Sequence, residues 1–315
     1  MKILVLGNSN IFQRRILPAL NILPEITSID LASSSNNTAS INSIKIGNTY
    51  KSYDKALNNS DAKLVYISLI NSLHYEFGRK ALLLDKHLII DKPLTNNNND
   101  TLSLLDIAKE KSLCLAEATV YEFHKQIEQL KFMSSKKETT PKAIMVNFSF
   151  PPFQKDNYRF SKNLGGGAIE DLGPYALSPG RIFFNSKPIK IKALSNDLTN
   201  NLCTGFSFFA EYPNKKSLFG HCGFHTPYIN RLSLMSNEQI LEVERIFTTP
   251  PNMQNKIIQK TKTGIKEITI DNCDSFEVFL IQVMKSIKSK CYNSFYNQIE
   301  MDSFALHLLR KSISK

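Results

Sequence analysis

The sequence predicts two domains: an α/β domain with a doubly wound parallel sheet, followed by an α+β domain on a mostly antiparallel open sheet. Over residues 1–117, short apolar runs alternate with amphipathic helical segments, as consecutive βαβ units require. From residue 118 onward the strand-like segments are longer, and Pro, Asn and Gly connect them, as in antiparallel sheets. We therefore expect a first domain at 1–117 and a second at 118–315, with a last helix at about 295–313 that could pack back on the first domain.

In the first domain each predicted strand is a short apolar run. These strands are KILVLG (2–7), ITSIDLAS (26–33), KLVYISLI (63–70), HLIID (87–91) and LCLAEA (113–118). The predicted helices between them are NIFQRRILPALN (10–21), LHYEFGRKALLLDK (73–86) and NDTLSLLDIAKEK (99–111). Asn99 or Asp100 is the expected N-cap of the third helix, since both side chains can accept from a free backbone N–H.

The second domain opens with a helix near residues 124–134 and ends with two helices, near 274–290 and 295–313. The segments between them alternate in polarity or carry β-branched and aromatic residues, which favours strands. These strands are KAIMVNFSF (142–150), PIKIKALSND (188–197), CTGFSFFAEY (203–212), KSLFGHCGF (216–224), NRLSLMSN (230–237) and EQILEVERIF (238–247).

The composition excludes several classes of protein. Hydrophobic residues make up 42% and charged residues 21%, an ordinary globular balance, and no run approaches the ~20 apolar residues of a membrane span. The five cysteines are scattered without metal-ligand spacing, so we expect reduced thiols, no metal site and a cytoplasmic location. The net charge of +11 comes from dispersed lysines without a nucleic-acid-binding motif. We expect no nucleic-acid partner, although a positive field favours phosphorylated ligands.

The first strand-to-helix turn, LGNSNIF, resembles a weakened dinucleotide fingerprint, G-x-G-x-x-G. Gly7 holds the first position, Ser9 the second and Phe12 the third. Ser9 is small enough for a close backbone approach, and Asn10 and Ile11 begin the helix whose N-terminus favours an anion. A plain βαβ turn is the alternative reading.

The second strand ends in LASSS, where a site that prefers NAD has an acidic residue for the ribose hydroxyls. Ser33 and Ser34 are neutral and leave room for a 2′-phosphate, whereas Asp30 should point into the sheet. The sequence therefore favours NADP(H) over NAD(H).

Two further motifs complete the candidate site. Asp91-Lys92-Pro93 follows a predicted strand, at the edge of the sheet where such folds bind ligands. Three consecutive glycines, residues 165–167, stand just before Asp171 and Tyr175, which lie four residues apart and so on one face of a helix.

Together these motifs resemble the glucose–fructose oxidoreductase (Gfo/Idh/MocA) family. The matching segments are DKP at 91–93, where the family usually has Glu-Lys-Pro, NSLHYEF with Asn71 and His74, AEATVYEFHKQ with Glu117, His124 and Gln126, and GGGAIEDLGPY with Arg181 further on. RRILPAL, FPPF, YRFSKNLGGGA and RIFTTPP resemble the NDP-sugar 3-ketoreductases within that family.

The resemblance implies an NADP(H)-dependent oxidoreductase that reduces a keto sugar, most consistently a nucleotide-linked one. Lys92 would stabilise charge on the carbonyl oxygen, Tyr175 would donate the proton, and Asp171 would orient sugar hydroxyls. The implied cofactor contacts are Gly7, Ser9, Asn10, Ile11, Ser33, Ser34, Leu69, Asn71, His74, Asp91, Lys92 and Glu117. The implied substrate contacts are Arg159, Gly166, Gly167, Asp171 and Tyr175.

Several alternatives remain open from sequence. A dehydrogenase of free sugars or dihydrodiols, or a nucleotide-sensing protein without turnover, would share the same scaffold. Arg159 and Arg181 could bind substrate phosphates or form structural ion pairs, and His74 and His124 could be structural or catalytic. The family also implies a homo-oligomer formed through the second sheet.

Overall fold

In the computed structural model, which describes residues 1–34, 43–154, 156–199 and 202–313, the chain divides into two compact units. The first comprises Met1–Ala118 and Phe276–Glu300, and the second comprises Thr119–Ser275 and Met301–Lys315. Residues 276–300 thus lie in the first unit. The boundary expected from sequence puts 118–315 in the second domain, with a last helix at about 295–313 that could pack back on the first. The phenol of Tyr296 donates to the carbonyl oxygens of Ala108 (3.2 Å) and Leu113 (2.6 Å), which ties this returning segment to the first unit.

A six-stranded parallel sheet forms the centre of the first unit, as predicted, with strand order β3-β2-β1-β4-β5-β6. The strands are β1 (Lys2–Leu6), β2 (Ser28–Ala32), β3 (Ile46–Tyr50), β4 (Leu64–Ile67), β5 (His87–Ile90) and β6 (Leu115–Glu117). The strand order reverses between β1 and β4, and ligands of such sheets bind at the carboxyl ends of the strands beside that point.

The helices of the first unit are α1 (Leu17–Ile22), α2 (Tyr53–Asn59), α3 (His74–Leu83), α4 (Asn98–Glu110), nearly all of α7 (Ser275–Ser289) and the first part of α8 (Asn293–Ile313). A wide π-helical turn, Phe12–Ile16, precedes α1. The N-cap of α4 is Asn97, whose side chain accepts from the Asp100 backbone N–H at 2.9 Å, and not Asn99 or Asp100. Both of those residues are already helical, so their side chains cannot cap the first turn.

The second unit is built on an eight-stranded sheet of order β14-β13-β12-β11-β7-β10-β9-β8. Every strand pair is antiparallel except β7 with β10, which confirms the predicted, mostly antiparallel sheet. The strands are β7 (Ala143–Ser149), β8 (Lys190–Thr199), β9 (Leu202–Tyr212), β10 (Lys216–Gly223), β11 (Ile229–Met235), β12 (Gln239–Glu244), β13 (Asn255–Thr261) and β14 (Gly264–Ile270).

Helix α6 (Ala168–Phe184) packs on β7, β9 and β10, and α5 (Lys125–Met133) also belongs to this unit. Two glycines allow close packing of α6. A Cβ on Gly180 would lie 2.0 Å from the Tyr212 hydroxyl, and one on Gly173 would lie 2.7 Å from a methyl group of Leu306. The tight fit fixes the rotation of α6, and with it the direction of the side chains on its other face.

Candidate cofactor and substrate sites

The turn after β1 depends on a glycine. Gly7 has φ +106°, and a Cβ there would lie 2.1 Å from the carbonyl oxygen of Ser68, at the end of the neighbouring strand β4. No other residue type fits without moving the backbone. Asn10 and Ile11 follow on the exposed side of the turn, where backbone N–H groups at a helix start favour an anion.

The two departures from the fingerprint both turn inward. The Ser9 hydroxyl lies 2.7 Å from the Ser68 hydroxyl and accepts from the Phe12 backbone N–H at 3.0 Å. The Phe12 ring is fully buried in the core of the first unit. The Ser9 side chain thus stabilises the turn, and the expected cofactor contact at this position stays a prediction.

Asp91 follows β5 and is held by two hydroxyl groups. Tyr66 donates to Oδ1 at 2.9 Å, and Ser68 donates to Oδ2 at 2.7 Å. Burial raises the pKa of Asp91, while these hydrogen bonds and the nearby His74 and Lys92 oppose the rise. Lys92 is next in the chain and half-buried, and its peptide bond to Pro93 is cis.

His74 has a buried position between two backbone carbonyl groups, and its expected contact with the cofactor stays a prediction. The ring is fully buried, with Nδ1 2.8 Å from the Pro93 carbonyl oxygen and Nε2 3.1 Å from that of Leu69. Burial lowers the pKa of His74, although two carbonyl partners favour the protonated ring. His74 therefore holds the segments after β4 and β5 together. The Leu69 carbonyl oxygen is its partner in the segment after β4.

The remaining cofactor candidates lie after β2, β4 and β6. Ser33 is buried, and Ser34 is exposed with its hydroxyl 3.3 Å from that of Tyr53. Asn71 is buried after β4. Glu117 is buried at the end of β6 and accepts from the Leu94 backbone N–H at 3.1 Å, so it supports the turn that carries Lys92.

Asp30 confirms the inward orientation expected from sequence. It is fully buried and accepts from the Ser60 hydroxyl at 2.6 Å and from the Asn48 backbone N–H at 3.0 Å. Its carboxylate is thus committed within the sheet and does not replace the missing acidic residue after β2.

The triple glycine closes a compact loop. Gly165 and Gly167 have φ +78° and +107°, which favour glycine. A Cβ on Gly166 would lie 2.6 Å from the carbonyl oxygens of Tyr158 and Arg159. The Gly167 N–H donates to the Arg159 carbonyl oxygen at 2.8 Å. These glycines therefore fix the backbone of Arg159 against the start of α6.

Arg159 and Asp171 form the polar centre of the second unit's candidate site. Arg159 Nε donates to Asp171 Oδ2 at 2.8 Å, and the guanidinium carbon lies 4.8 Å from the ring centres of both Phe153 and Tyr158. Burial opposes the charge on Arg159, but Asp171 outweighs it and raises the pKa of the guanidinium. A stacked, permanently charged guanidinium suits recognition of an anion.

Tyr175 lies one turn after Asp171 and is half-buried among aromatic rings. Its ring centre is 5.3 Å from that of Phe148, 5.5 Å from that of Phe247 and 6.0 Å from that of Tyr121. The packing restricts the ring and leaves the phenol as its polar end.

Arg181 and His124 have structural roles. Arg181 makes a bidentate pair with Glu122, at 3.0 and 2.7 Å, and donates to Asp302 at 2.9 Å. Those carboxylates raise the pKa of Arg181 well above its usual value although burial opposes it. His124 Nδ1 accepts from the Gln126 backbone N–H at 3.1 Å and caps α5. These contacts favour the structural alternative for both residues.

Sequence reasoning missed the partners of the site residues. Tyr66 and Ser68 come from one strand and lie two residues apart, so they point to the same side, which was the available signal. Tyr121 and Phe247, which pack around Tyr175, are far apart in sequence, so the sequence carried no signal for them. Among the described residues there is no His, Cys, Asp or Glu cluster fit to hold a metal ion, and no helix is long and apolar enough to cross a membrane.

Known proteins similar to this chain include sugar oxidoreductases. Residues 1–119 match the sequence model of the Gfo/Idh/MocA oxidoreductase family, an NAD-binding Rossmann fold. D-xylose 1-dehydrogenase (NADP(+)) 2 of Haloferax volcanii is 26% identical over 275 residues, 86% of this chain and 84% of that protein. dTDP-3,4-didehydro-2,6-dideoxy-alpha-D-glucose 3-reductase of Streptomyces violaceoruber is 28% identical over 257 residues, 79% of this chain and 74% of that protein.

The fold is also shared with a solved structure. KijD10, a 3-ketoreductase from Actinomadura kijaniata in complex with NADP and TDP-benzene, superposes with a TM-score of 0.90 at 22% identity, covering 100% of this chain and 97% of that one. The two relatives and the shared fold span most of the chain, whereas the family match covers residues 1–119. Over residues 1–119 the chain is therefore similar to the Gfo/Idh/MocA family of oxidoreductases.

Proposed function

We propose that this protein is an NADP(H)-dependent oxidoreductase that reduces the keto group of a nucleotide-linked sugar. The observation that carries the proposal is the retention of Lys92 after β5 and of the Asp171–Tyr175 pair on α6, in a chain that resembles 3-ketoreductases throughout its length. We assign cofactor binding to the first unit and substrate binding to the second.

The first unit fits a dinucleotide. Gly7 supplies the positive φ and the space for a close backbone approach, and the exposed start of the following helix can meet a phosphate. Ser34 is exposed and neutral after β2, which accommodates a 2′-phosphate. A similar protein with NADP in its name and another solved with NADP agree with this preference.

NADPH, when bound, supplies the hydride that reduces the keto carbon. Negative charge then develops on the carbonyl oxygen, and the Lys92 ammonium stabilises it. Tyr175 gives its phenolic proton to that oxygen, and the resulting tyrosinate takes a proton back from solvent. In KijD10 a tyrosine and a lysine were each replaced in solved variants, and they lie nearly as far apart in sequence as Lys92 and Tyr175.

Arg159 distinguishes a nucleotide-linked substrate from a free sugar. Its guanidinium is stacked between two rings and uses Nε for Asp171, so its terminal nitrogens are the part suited to a phosphate oxygen. A free-sugar dehydrogenase is the second candidate, since a D-xylose dehydrogenase matches 86% of the chain. Such an enzyme has no use for a cation that recognises phosphate.

One assay separates these functions. The protein is incubated with NADPH and a dTDP-linked 3-keto sugar, with a free keto sugar of the same ring, and with NADP⁺ and D-xylose or a dihydrodiol. Fast NADPH oxidation with the nucleotide-linked sugar alone is expected. Equal rates with the free sugar would favour the second candidate. NADPH binding without turnover on any substrate would indicate a nucleotide-sensing protein.

The edge of the second sheet is our candidate for self-association. Leu194 on β8 and Phe209 on β9 are 72% and 48% exposed. We propose that a second copy covers this face. A dimer mass in light scattering that Phe209→Glu reduces to the monomer is expected, and a wild-type monomer would contradict it. The cytoplasmic location stays a prediction from cysteine content.

A further inference from the structure

Three side chains form a hydrogen-bonded chain across the carboxyl ends of β1, β4 and β5. The Ser9 hydroxyl lies 2.7 Å from the Ser68 hydroxyl, which lies 2.7 Å from Asp91 Oδ2. These residues follow, or lie at the end of, three neighbouring strands of the sheet. The chain therefore connects the cofactor-binding turn directly to the residue before Lys92.

The Asp91 carboxylate at one end of this chain determines which group donates in each hydrogen bond. An ionised carboxylate only accepts, so Tyr66 and Ser68 both donate to Asp91. The Ser68 oxygen then accepts from the Ser9 hydroxyl, and the Ser9 oxygen accepts from the Phe12 backbone N–H at 3.0 Å. A protonated Asp91 must itself donate through one oxygen, and one of these bonds would be lost or reversed.

We propose that Ser68 and Asp91 are positioning residues for the cofactor-binding turn, and that ionised Asp91 holds this turn through Ser68 and Ser9. In proteins with the full fingerprint, the second glycine allows this turn to close. In this protein the hydrogen-bonded hydroxyl groups of Ser9 and Ser68 take that role. NADPH affinity then depends on the charge of Asp91. This inference rests on the proposed function, since it concerns binding of the same cofactor.

The surroundings of Asp91 set the pH at which this dependence appears. Tyr66 faces it from β4, His74 from α3, and Lys92 is its neighbour in the chain. Burial raises the pKa of Asp91, so the neutral form appears at a higher pH than for an exposed aspartate. Because the ionised form holds the turn, affinity should fall as pH decreases toward that raised value.

The test is an NADPH titration across pH, followed by nicotinamide fluorescence, since the chain has no tryptophan. Ser68→Ala should raise Kd about ten-fold at neutral pH, the effect of one hydrogen bond to a charged group. Asp91→Asn should raise Kd and flatten its acid-side pH dependence, whereas Asp91→Glu keeps a carboxylate and should keep that dependence. Ser72→Ala, an exposed serine in the same segment, is the matched control and should bind as wild type.

A double variant separates positioning from general destabilisation. In a Ser9→Gly background, which supplies the fingerprint glycine and removes the first hydroxyl, Ser68→Ala should cause almost no further loss of affinity. Melting temperatures of all variants are measured beside Kd. Wild-type affinity and pH dependence in Ser68→Ala would overturn the inference alone. Failure of the wild-type protein to bind NADPH at any pH would overturn it together with the proposed cofactor.

Discussion

Arg159 donates through Nε to Asp171 at 2.8 Å, and this bond joins the loop before the triple glycine to the first turn of α6. It places a cation beside Asp171, which lies one helical turn before Tyr175 on α6.

Replacing this arginine should change substrate choice. Arg159→Gln should raise KM for a nucleotide-linked keto sugar about ten- to hundred-fold, because a charge-assisted contact to phosphate is lost. It should change kcat/KM for the free keto sugar little. Arg231→Gln removes an exposed arginine on β11 that pairs with Glu244 on β12, and it serves as the control. Equal losses on both substrates would show that Arg159 only supports the fold.

Phe12 belongs to the hydrophobic core, and its replacement should affect stability before it affects binding. Phe12→Ala should lower the free energy of unfolding by about 3–5 kcal/mol, since the ring is fully buried. Ile11→Ala, at a neighbouring position that is 40% exposed, should cost much less. Denaturant unfolding measures both. A Phe12→Ala variant of unchanged stability that binds NADPH more tightly would show that the ring crowds the phosphate turn.

The cofactor preference should depend on the residue after β2. Wild-type protein should bind NADPH more tightly than NADH, and Ser34→Asp should reverse the order by repelling the 2′-phosphate and accepting from the ribose. Ala32 is unsuitable for this test because it is fully buried in β2, where a carboxylate would destabilise the fold. The test is to measure the dissociation constants of NADPH and NADH for wild type and Ser34→Asp. A wild-type preference for NADH would contradict the prediction.

Much of this site could be predicted from the sequence because it depends on local pattern. Short apolar runs placed Lys92 at a strand end, and four-residue spacing placed Asp171 and Tyr175 on one face of α6. The direction of Ser9 could not be predicted, since its hydroxyl is turned inward by Ser68, a residue 59 positions away. The position of Phe12 could not be predicted either, because tertiary packing and not the fingerprint determines where a large ring lies.

The second sheet shows the same limit. The strands β13 and β14 were not predicted, because the hydrophobic alternation there is weak. Of the seven residues of β14, only Ile270 is buried. α6 contains Pro174 and Pro179, which usually argue against a helix, yet the close packing at Gly173 and Gly180 stabilises it. Such packing depends on residues distant in sequence.

Lys92 and Tyr175 should act as one catalytic unit. Lys92→Ala removes the charge that stabilises the developing oxyanion, and Tyr175→Phe removes the proton donor while keeping the ring packed. Groups that act in one step give non-additive losses, so the double variant should be little slower than the slower single one. Multiplied losses, measured as kcat under saturating NADPH, would indicate two independent roles.

The most direct measurement of the central claim is single-turnover hydride transfer from NADPH to a nucleotide-linked keto sugar in wild type and Tyr175→Phe. Loss of a general acid should slow this step by about 10²–10⁴-fold while the Kd of NADPH stays unchanged. A Tyr175→Phe protein that transfers hydride at the wild-type rate would contradict the assignment of the proton to Tyr175.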